Sequence, residues 1–429
     1  MAARRGWSWS TGRSRGEPGG IPIVTSNQGP SRRSPWSVVW ALAVTQVVSW
    51  GSIYYAIAVL IAPIEQELGW RRDAIVGAFS LSLIFAGLGA VPAGILIDRY
   101  GGRVVMTCGS LAAAALFFLL SNVQSLPAFY LIWAGLGIAM AAVLYEPAFT
   151  VITATFGANA RKAITALTLV GGFASTVFWP LTQGLVSAFG WRHALVALAL
   201  FNFVICVPLH ALYLPASAPR RSGPEGAPGG VRPREDTGAL GFVIRSPAFW
   251  LLATAFTINM LAHSSLSVHL IPLLHEKGYS AADAVWLAAL VGPMQVAGRV
   301  AEFTIGSRFR ATHVAVFALA LLPVALVSLG YAGAAWVPVL VFVTLYGASN
   351  GIMTIARGTI PAEIFGREHF GAVNGALSAP VLAARALGPL LASIIWSAAA
   401  GYDPVLWTLA ALGLVSLASF CVALSRDRR

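Results

Sequence analysis

Apolar residues in this chain fall in long, nearly unbroken runs. They show neither the period-two alternation of a half-buried strand nor the narrow stripe of an amphipathic surface helix. A run of about 20 apolar residues is what a helix needs to cross a bilayer. Twelve runs are read, over residues 36–62, 74–97, 104–121, 127–149, 165–188, 193–214, 248–274, 284–306, 312–331, 336–356, 371–395 and 403–424. Links between them are short, with one exception. Residues 215–247 form a Pro/Gly/Arg linker that divides the chain into a six-run bundle over 36–214 and a second over 248–424. Residues 1–35, rich in Gly, Ser, Pro and Arg, are expected to be a disordered cytoplasmic tail, and residues 425–429 a short second one. The expected fold class is an all-α membrane protein: twelve transmembrane helices in two six-helix pseudo-repeat bundles.

Composition supports the same reading. Of 429 residues 57% are hydrophobic and 10% charged, against about 25% charged in soluble domains. Disorder of the whole chain is excluded by its hydrophobicity. Cys108, Cys206 and Cys421 each stand alone in an apolar run, with no spacing for a disulfide framework or a metal, so no cofactor is expected. The net charge of +12 would suggest nucleic acid on a soluble protein. Its placement gives another meaning. Of the 28 Lys and Arg, 22 lie in the two tails and in the links that follow even-numbered runs, and 4 in the links that follow odd-numbered runs. That bias places both termini in the cytoplasm, as an even number of crossings requires, and leaves no charge for a nucleic acid partner to explain. No apolar core follows Arg4 and Arg5 before Gly20, so the first run reads as an anchor and not as a cleaved signal. Lys162 and Lys277 are the only lysines. So strong an Arg bias points to a GC-rich bacterial genome, and hence to the inner (plasma) membrane.

The two halves are related. At a shift of 209 residues, Pro63 meets Pro272, Glu67 meets Glu276, Gly69 meets Gly278, Phe156-Gly157 meets Phe365-Gly366 and Pro180-Leu181 meets Pro389-Leu390. One constant shift serving separated patches indicates duplication. Because it pairs the first run with the seventh, orientation is preserved and the repeats are parallel. Such halves suit alternating access, with a site between two bundles that rock against each other.

The link between runs 2 and 3 reads Gly94, three apolar residues, then Asp98-Arg99-Tyr100-Gly101-Gly102-Arg103. With the twelve runs and the repeat, it resembles the signature loop of the major facilitator superfamily, with one extra glycine before Arg103. The resemblance covers residues 36–424 and implies that this loop helps latch one conformation. Asp98 would face a helix N-terminus, and Arg99 or Arg103 a carboxylate. The first run and the segment from Gln295 to Arg299 resemble the monocarboxylate and oxalate/formate transporter group. That resemblance implies a substrate carboxylate held by Arg299, with a second cation in run 11, where Arg385 lies. Gln295 departs from the group, whose monocarboxylate carriers tend to hold an aspartate there. Proton coupling through that position is therefore in doubt.

A charged side chain inside the hydrocarbon costs at least about 2.5–3.5 kcal/mol, so intramembrane charges are functional candidates. Arg385 sits mid-run with no acidic residue within a helical turn. It reads as a bidentate carboxylate ligand or, alternatively, as a partner of carbonyls or of a carboxylate on another helix. Arg299 has Glu302 close by on the same helix face, so a local ion pair competes with a substrate role. Glu146 and Arg357, near repeat partners, read as a cytoplasmic gate; alternatively Glu146 is a proton site, or both simply snorkel. Tyr54, Tyr145, Trp179 and Tyr346 are aromatic groups with a polar handle, suited to a site for a small organic anion or else to packing. His263, the repeat partner of Tyr54, is a candidate proton relay or a structural residue. The substrate set is thus Arg299, Arg385, Tyr54, Tyr145, His263, Gln295, Tyr346 and Trp179. The conformational set is Asp98, Arg99, Arg103, Gly94, Gly101, Glu146 and Arg357.

No Walker A Gly-Lys-Ser/Thr, no His-Glu-x-x-His and no strand for a nucleophile elbow is present. The chain is not expected to be an enzyme. The leading expectation is a monomeric secondary transporter of a small organic anion, a mono- or dicarboxylate, with a proton or counter-anion as partner and the bilayer as solvent. The alternatives are a multidrug or metabolite exporter of the same fold and a non-transporting membrane receptor or scaffold.

Overall fold

The architecture was analysed in a computed structural model, which describes residues 34–157, 160–216, 246–365 and 370–427. Residues 1–33 of the expected tail, nearly all of the 215–247 linker and the last two residues lie outside the described residues. Eleven helical stretches are long and apolar enough to cross a membrane: α1 Pro35–Leu68, α2 Arg72–Tyr100, α3 Gly102–Ser121, α4 Leu126–Phe156, α5 Ala160–Tyr213, α6 Pro247–Glu276, α7 Ala281–Thr304, α8 Ala311–Gly330, α9 Trp336–Phe365, α10 Gly375–Ala399 and α11 Tyr402–Arg426. Among the described residues there is no strand. The 54 residues of α5 are more than twice what one crossing uses. Gly190 interrupts them with φ 77 and ψ 163, between the fifth and sixth apolar runs. Twelve crossings therefore require α5 to cross twice.

The duplication is visible in the backbone. Gly69 and Gly278, one shift apart, both take left-handed φ, at 66 and 96, where each closes a helix. Glu67 accepts a hydrogen bond from the Trp191 indole at 2.6 Å and Glu276 accepts one from the Trp396 indole at 2.9 Å. Each carboxylate thereby ties the end of one helix to another helix of its own half.

Several helices are broken, and the breaks have local causes. In α4, Leu144 is extended (φ −80, ψ −156) and the helix restarts at Tyr145. Pro147 has no N–H to give the Val143 carbonyl, and its ring would clash there. In α7, helix Ala281–Ala289 gives way to Val291–Thr304, and Pro293 stands four residues beyond Ala289. In α1, residues Trp50–Tyr55 form a π-helical segment, in which the Ala56 amide reaches back to Gly51. Single π-helical turns inside α-helices occur frequently at functional sites.

Close helix contacts rest on small residues. Gly137 in α4 lies so near α2 that a Cβ there would sit 2.1 Å from the Ser82 carbonyl oxygen, whereas a Cβ at Gly94 would meet nothing within 4 Å. Gly137→Ala is therefore expected to destabilise by about 1–3 kcal/mol. Gly94→Ala, in a helix interior, is expected to stabilise by about 0.5–1 kcal/mol. Thermal unfolding of the two purified variants in detergent should shift in opposite directions; equal shifts would contradict this packing.

Candidate functional site: a cavity between the halves

The helix breaks converge on one cavity of about 240 Å³, lined from both halves by α1, α4, α5, α6, α7, α9 and α10. All eight residues of the expected substrate set line it, as do Glu146 and Arg357. Four backbone carbonyls freed around it each have a side-chain donor. Gln46 donates from Nε2 to the Val143 carbonyl at 2.7 Å, the bond Pro147 cannot make. Thr176 donates to the Ala289 carbonyl at 2.9 Å, the bond Pro293 cannot make. Ser264 donates to the Arg385 carbonyl, left open by Pro389. At the end of the π-helical segment the Val59 amide turns to Ala56, and the Tyr55 carbonyl instead accepts from the Trp179 indole at 2.9 Å. In hydrocarbon an open carbonyl costs several kcal/mol, so these donors hold the irregular backbone in place.

Gln46 has a second task. Its Oε1 accepts from the Trp50 indole at 3.1 Å, which fixes the plane of that ring. The Arg385 guanidinium lies 5.0 Å from the centroid of Trp50 and 5.2 Å from that of Tyr54. Such contacts are worth about 0.5–2 kcal/mol, depending on how far they are desolvated. They leave the N–H edges of the guanidinium free, and among the described residues no carboxylate pairs with it. Of the roles open to Arg385, pairing with a carboxylate or a carbonyl is not what this conformation shows.

Arg299 is buried, and it does not pair with Glu302 as its spacing allows. Its Nη1 donates across the halves to the Thr168 carbonyl, beside Gly172, where a Cβ would come within 3.3 Å of that nitrogen. Its Nε has no partner. Glu146 and Arg357 share the cavity but form no ion pair, and Arg357 donates from Nε to the Met353 carbonyl of its own helix at 3.3 Å. Gln295 lies one helical turn before Arg299. His263 packs against Tyr346 with ring centroids 4.9 Å apart and the rings tilted by 33°, and the Tyr346 hydroxyl donates to the His263 carbonyl at 3.2 Å. Tyr54 meets Ser267 across the halves at 3.1 Å.

The signature loop differs from expectation in its partners. Arg103 donates to the Leu214 carbonyl at 2.7 Å, and Arg99 lies over the Tyr100 ring at 5.2 Å. Neither arginine meets a carboxylate, and Asp98 is exposed. The extra glycine has a packing reason. Gly101 turns with φ 85, and a Cβ on Gly102 would lie 2.2 Å from a methyl of Val151.

Sequence reasoning missed the closure at the opposite end of the bundle. Arg72 binds Glu65 bidentately, its nearest contact 2.7 Å. It also donates to the Tyr402 hydroxyl at 3.3 Å and stacks over the Trp396 ring at 4.0 Å. Tyr402 is bonded to His269 at 2.8 Å, and the Tyr402 amide donates to Glu276 at 2.7 Å. This network joins the two halves there. Among the described residues no ion pair joins them at the end that carries the Asp98–Arg103 loop. The spacing of Glu65 and Arg72 across a tight turn was the available signal.

Comparison with known proteins places the chain. Residues 42–313 match the Major Facilitator Superfamily profile. The chain is 25% identical over 218 residues to the oxalate:formate antiporter of Oxalobacter formigenes, covering 50% of each chain. It is 30% identical over 285 residues to human monocarboxylate transporter 11, covering 63% of this chain and 58% of that one. It is also 26% identical over 332 residues to the agnestins efflux protein of Paecilomyces divaricatus, covering 75% and 70%. Its matches to the first two thus span half to just over half of those proteins. Among solved structures, the nucleoside transporter NupG superposes with a TM-score of 0.70 at 14% identity, over 91% of this chain and 98% of that one.

The carbonyl donors make a direct prediction. Gln46→Leu leaves both the Val143 carbonyl and the Trp50 indole without a partner and is expected to cost about 1–3 kcal/mol per orphaned group. Thr176→Val, of nearly the same shape, orphans the Ala289 carbonyl alone. Thermal unfolding midpoints should fall in the order Gln46→Leu, then Thr176→Val, then wild type; wild-type stability in both would remove this account of the breaks.

Proposed function

The chain belongs to the major facilitator superfamily, and on that premise we propose that it is a secondary active transporter of a small organic anion, a mono- or dicarboxylate, working by alternating access. The observation that carries this reading is Arg385. Its charge is held inside the bundle by two ring faces while its hydrogen-bonding edges are left open to the cavity. A planar carboxylate fits such an edge bidentately. Arg357 and Arg299 line the same cavity, where Glu146 is the one acidic side chain among the described residues. A cavity with three guanidiniums and one carboxylate favours an anion and disfavours an organic cation. The named carboxylate transporters among its relatives support the same class.

Alternating access gives the Arg72 network a role. We read it as the closed gate, with Glu146 and Arg357 at the open one. We read the charge bias of the links as setting the Asp98–Arg103 loop on the cytoplasmic side, and this conformation as open inward. A second reading, export of a larger metabolite, is favoured by the aromatic lining and by the efflux relative.

The assay is flux into proteoliposomes. Labelled formate, lactate, oxalate, succinate and benzoate should reveal at least one saturable substrate. Arg385→Ala should lower its kcat/KM by about tenfold or more, since a charge-assisted pair is worth about 1.5–3 kcal/mol. Arg385→Lys should restore only part of that. Undiminished transport in Arg385→Ala would remove the argument, and efflux of cationic dyes with no acid transport would favour the exporter.

A further inference from the structure

Arg385 and Glu146 line a second, smaller cavity besides the one between the halves. It measures about 100 Å³ and lies on the seam where α2 and α4 of the first half face α10 of the second. Its floor is Leu83, Met140, Ala141 and Leu144, all buried. Its α2 wall is Ala86, Gly87 and Ala90, and Leu382, close to one helical turn before Arg385, completes it from α10. Among the described residues Arg385 and Glu146 are the only charged groups in this lining. The space has a local cause. Near Gly77, α2 comes so close to α10 that a Cβ would lie 3.7 Å from a methyl of Leu390, whereas a Cβ at Gly87 would meet nothing within 4 Å. Small residues on α2 thus leave open a volume that a larger side chain would fill.

The chemistry of the two cavities differs. The larger one is lined by His263, Gln295, Asn350 and two further arginines, groups that an apolar chain would cover without bonding. The smaller one offers hydrocarbon almost throughout, and an apolar cavity of this kind stays dry and receives apolar ligand atoms. It begins at Arg385, whose open N–H edges are the anchor for a carboxylate. In a bidentate pair the substituent of the carboxylate points away from the guanidinium, so a chain that continues into the smaller cavity keeps its charge on Arg385. Glu146, which lines both cavities, repels a second carboxylate on that chain. Hydrocarbon is therefore what this space selects. At about 30 Å³ for each methylene-sized group, the volume takes about three.

We propose that this side cavity is a subsite for the tail of the substrate, and that the substrate is a monocarboxylate with a short, uncharged hydrocarbon tail. Arg385 holds the carboxylate, and Leu83, Met140 and Leu144 receive the tail on the seam between the halves. The proposal rests on the anion reading above and narrows it to one class of anion. Gly87 then sets the length of tail that fits, because its missing side chain is part of the space. Each methylene that enters the cavity raises affinity about fourfold, and those beyond its capacity add nothing.

The test is calorimetric titration of the purified full-length chain with acetate, propionate, butyrate, pentanoate, hexanoate, octanoate and succinate, at one neutral pH where all are ionised. In wild type the Kd should fall about fourfold per added methylene as far as about pentanoate and then level off. Succinate should bind more weakly than butyrate, which has the same number of carbons. In Gly87→Leu, whose added side chain enters open space, the ratio of the acetate to the pentanoate Kd should drop close to one. The wild-type series decides without any variant: a rise that continues evenly to octanoate is partition into an apolar phase and overturns the subsite. A flat series in which acetate still binds, as a lipid chain resident in the cavity would give, overturns this inference and leaves the anion reading intact. So does a rise that survives unchanged in Gly87→Leu, or succinate binding more tightly than butyrate. Failure of every acid to bind overturns the anion reading, and this inference with it.

Discussion

A carbonyl released from its helix inside a membrane has no water to turn to, and the cavity of this protein is shaped by that constraint. Pro147, Pro293 and Pro389 each withdraw an amide hydrogen, and the end of the π-helical segment in α1 withdraws a fourth partner. The four carbonyls set free are taken by Gln46, Thr176, Ser264 and the Trp179 indole. The irregular backbone around the site is thus fully bonded at these points. Two of these donors also orient the lining. Gln46 fixes Trp50, on which Arg385 rests, and Ser264 holds the backbone of Arg385 itself. One of them, Thr176, reaches from one half to the other.

The charges follow from the same economy. Arg299 answers part of its desolvation cost with the Thr168 carbonyl, Arg385 with two ring faces, and Arg357 with a carbonyl of its own helix. None is matched by a carboxylate, which would neutralise it and close the site. Partial satisfaction of this kind keeps a cation in a membrane bundle while leaving capacity for a ligand.

How much of this was legible in the sequence depended on the kind of signal. The helices and the duplication were open to reading because apolar runs and a constant shift are global patterns, and Gly69 and Gly278 later showed the same turn. Arg385 and Arg299 stood out because charge in hydrocarbon is rare. The ion pair with Glu302 was a false lead: spacing along one helix says nothing about a competing carbonyl on another. Gln46 was invisible for the opposite reason. A lone amide in an apolar run gives no hint that a proline about a hundred residues away has made it necessary. The Arg72 network was missed because its partners, Trp396 and Tyr402, lie more than 300 residues along the chain, and only the fold brings them together.

The duplication is imperfect at the place where it matters mechanically. Pro147 breaks α4 beside the cavity, whereas its repeat partner in α9 is Ala356, and helix α9 continues past it to Phe365 with its proline, Pro361, five residues further on. A continuous helix resists bending along its whole length; one cut at Leu144 bends at little cost about that residue. These two repeat-related helices therefore differ in stiffness at this level. In α4 the break forms an elbow between the segment that carries Tyr145 and Glu146 and the rest of the helix, whereas the second half has its break in α7. In a rocking mechanism the two halves would not flex as mirror images, since the first yields within α4 and the second within α7.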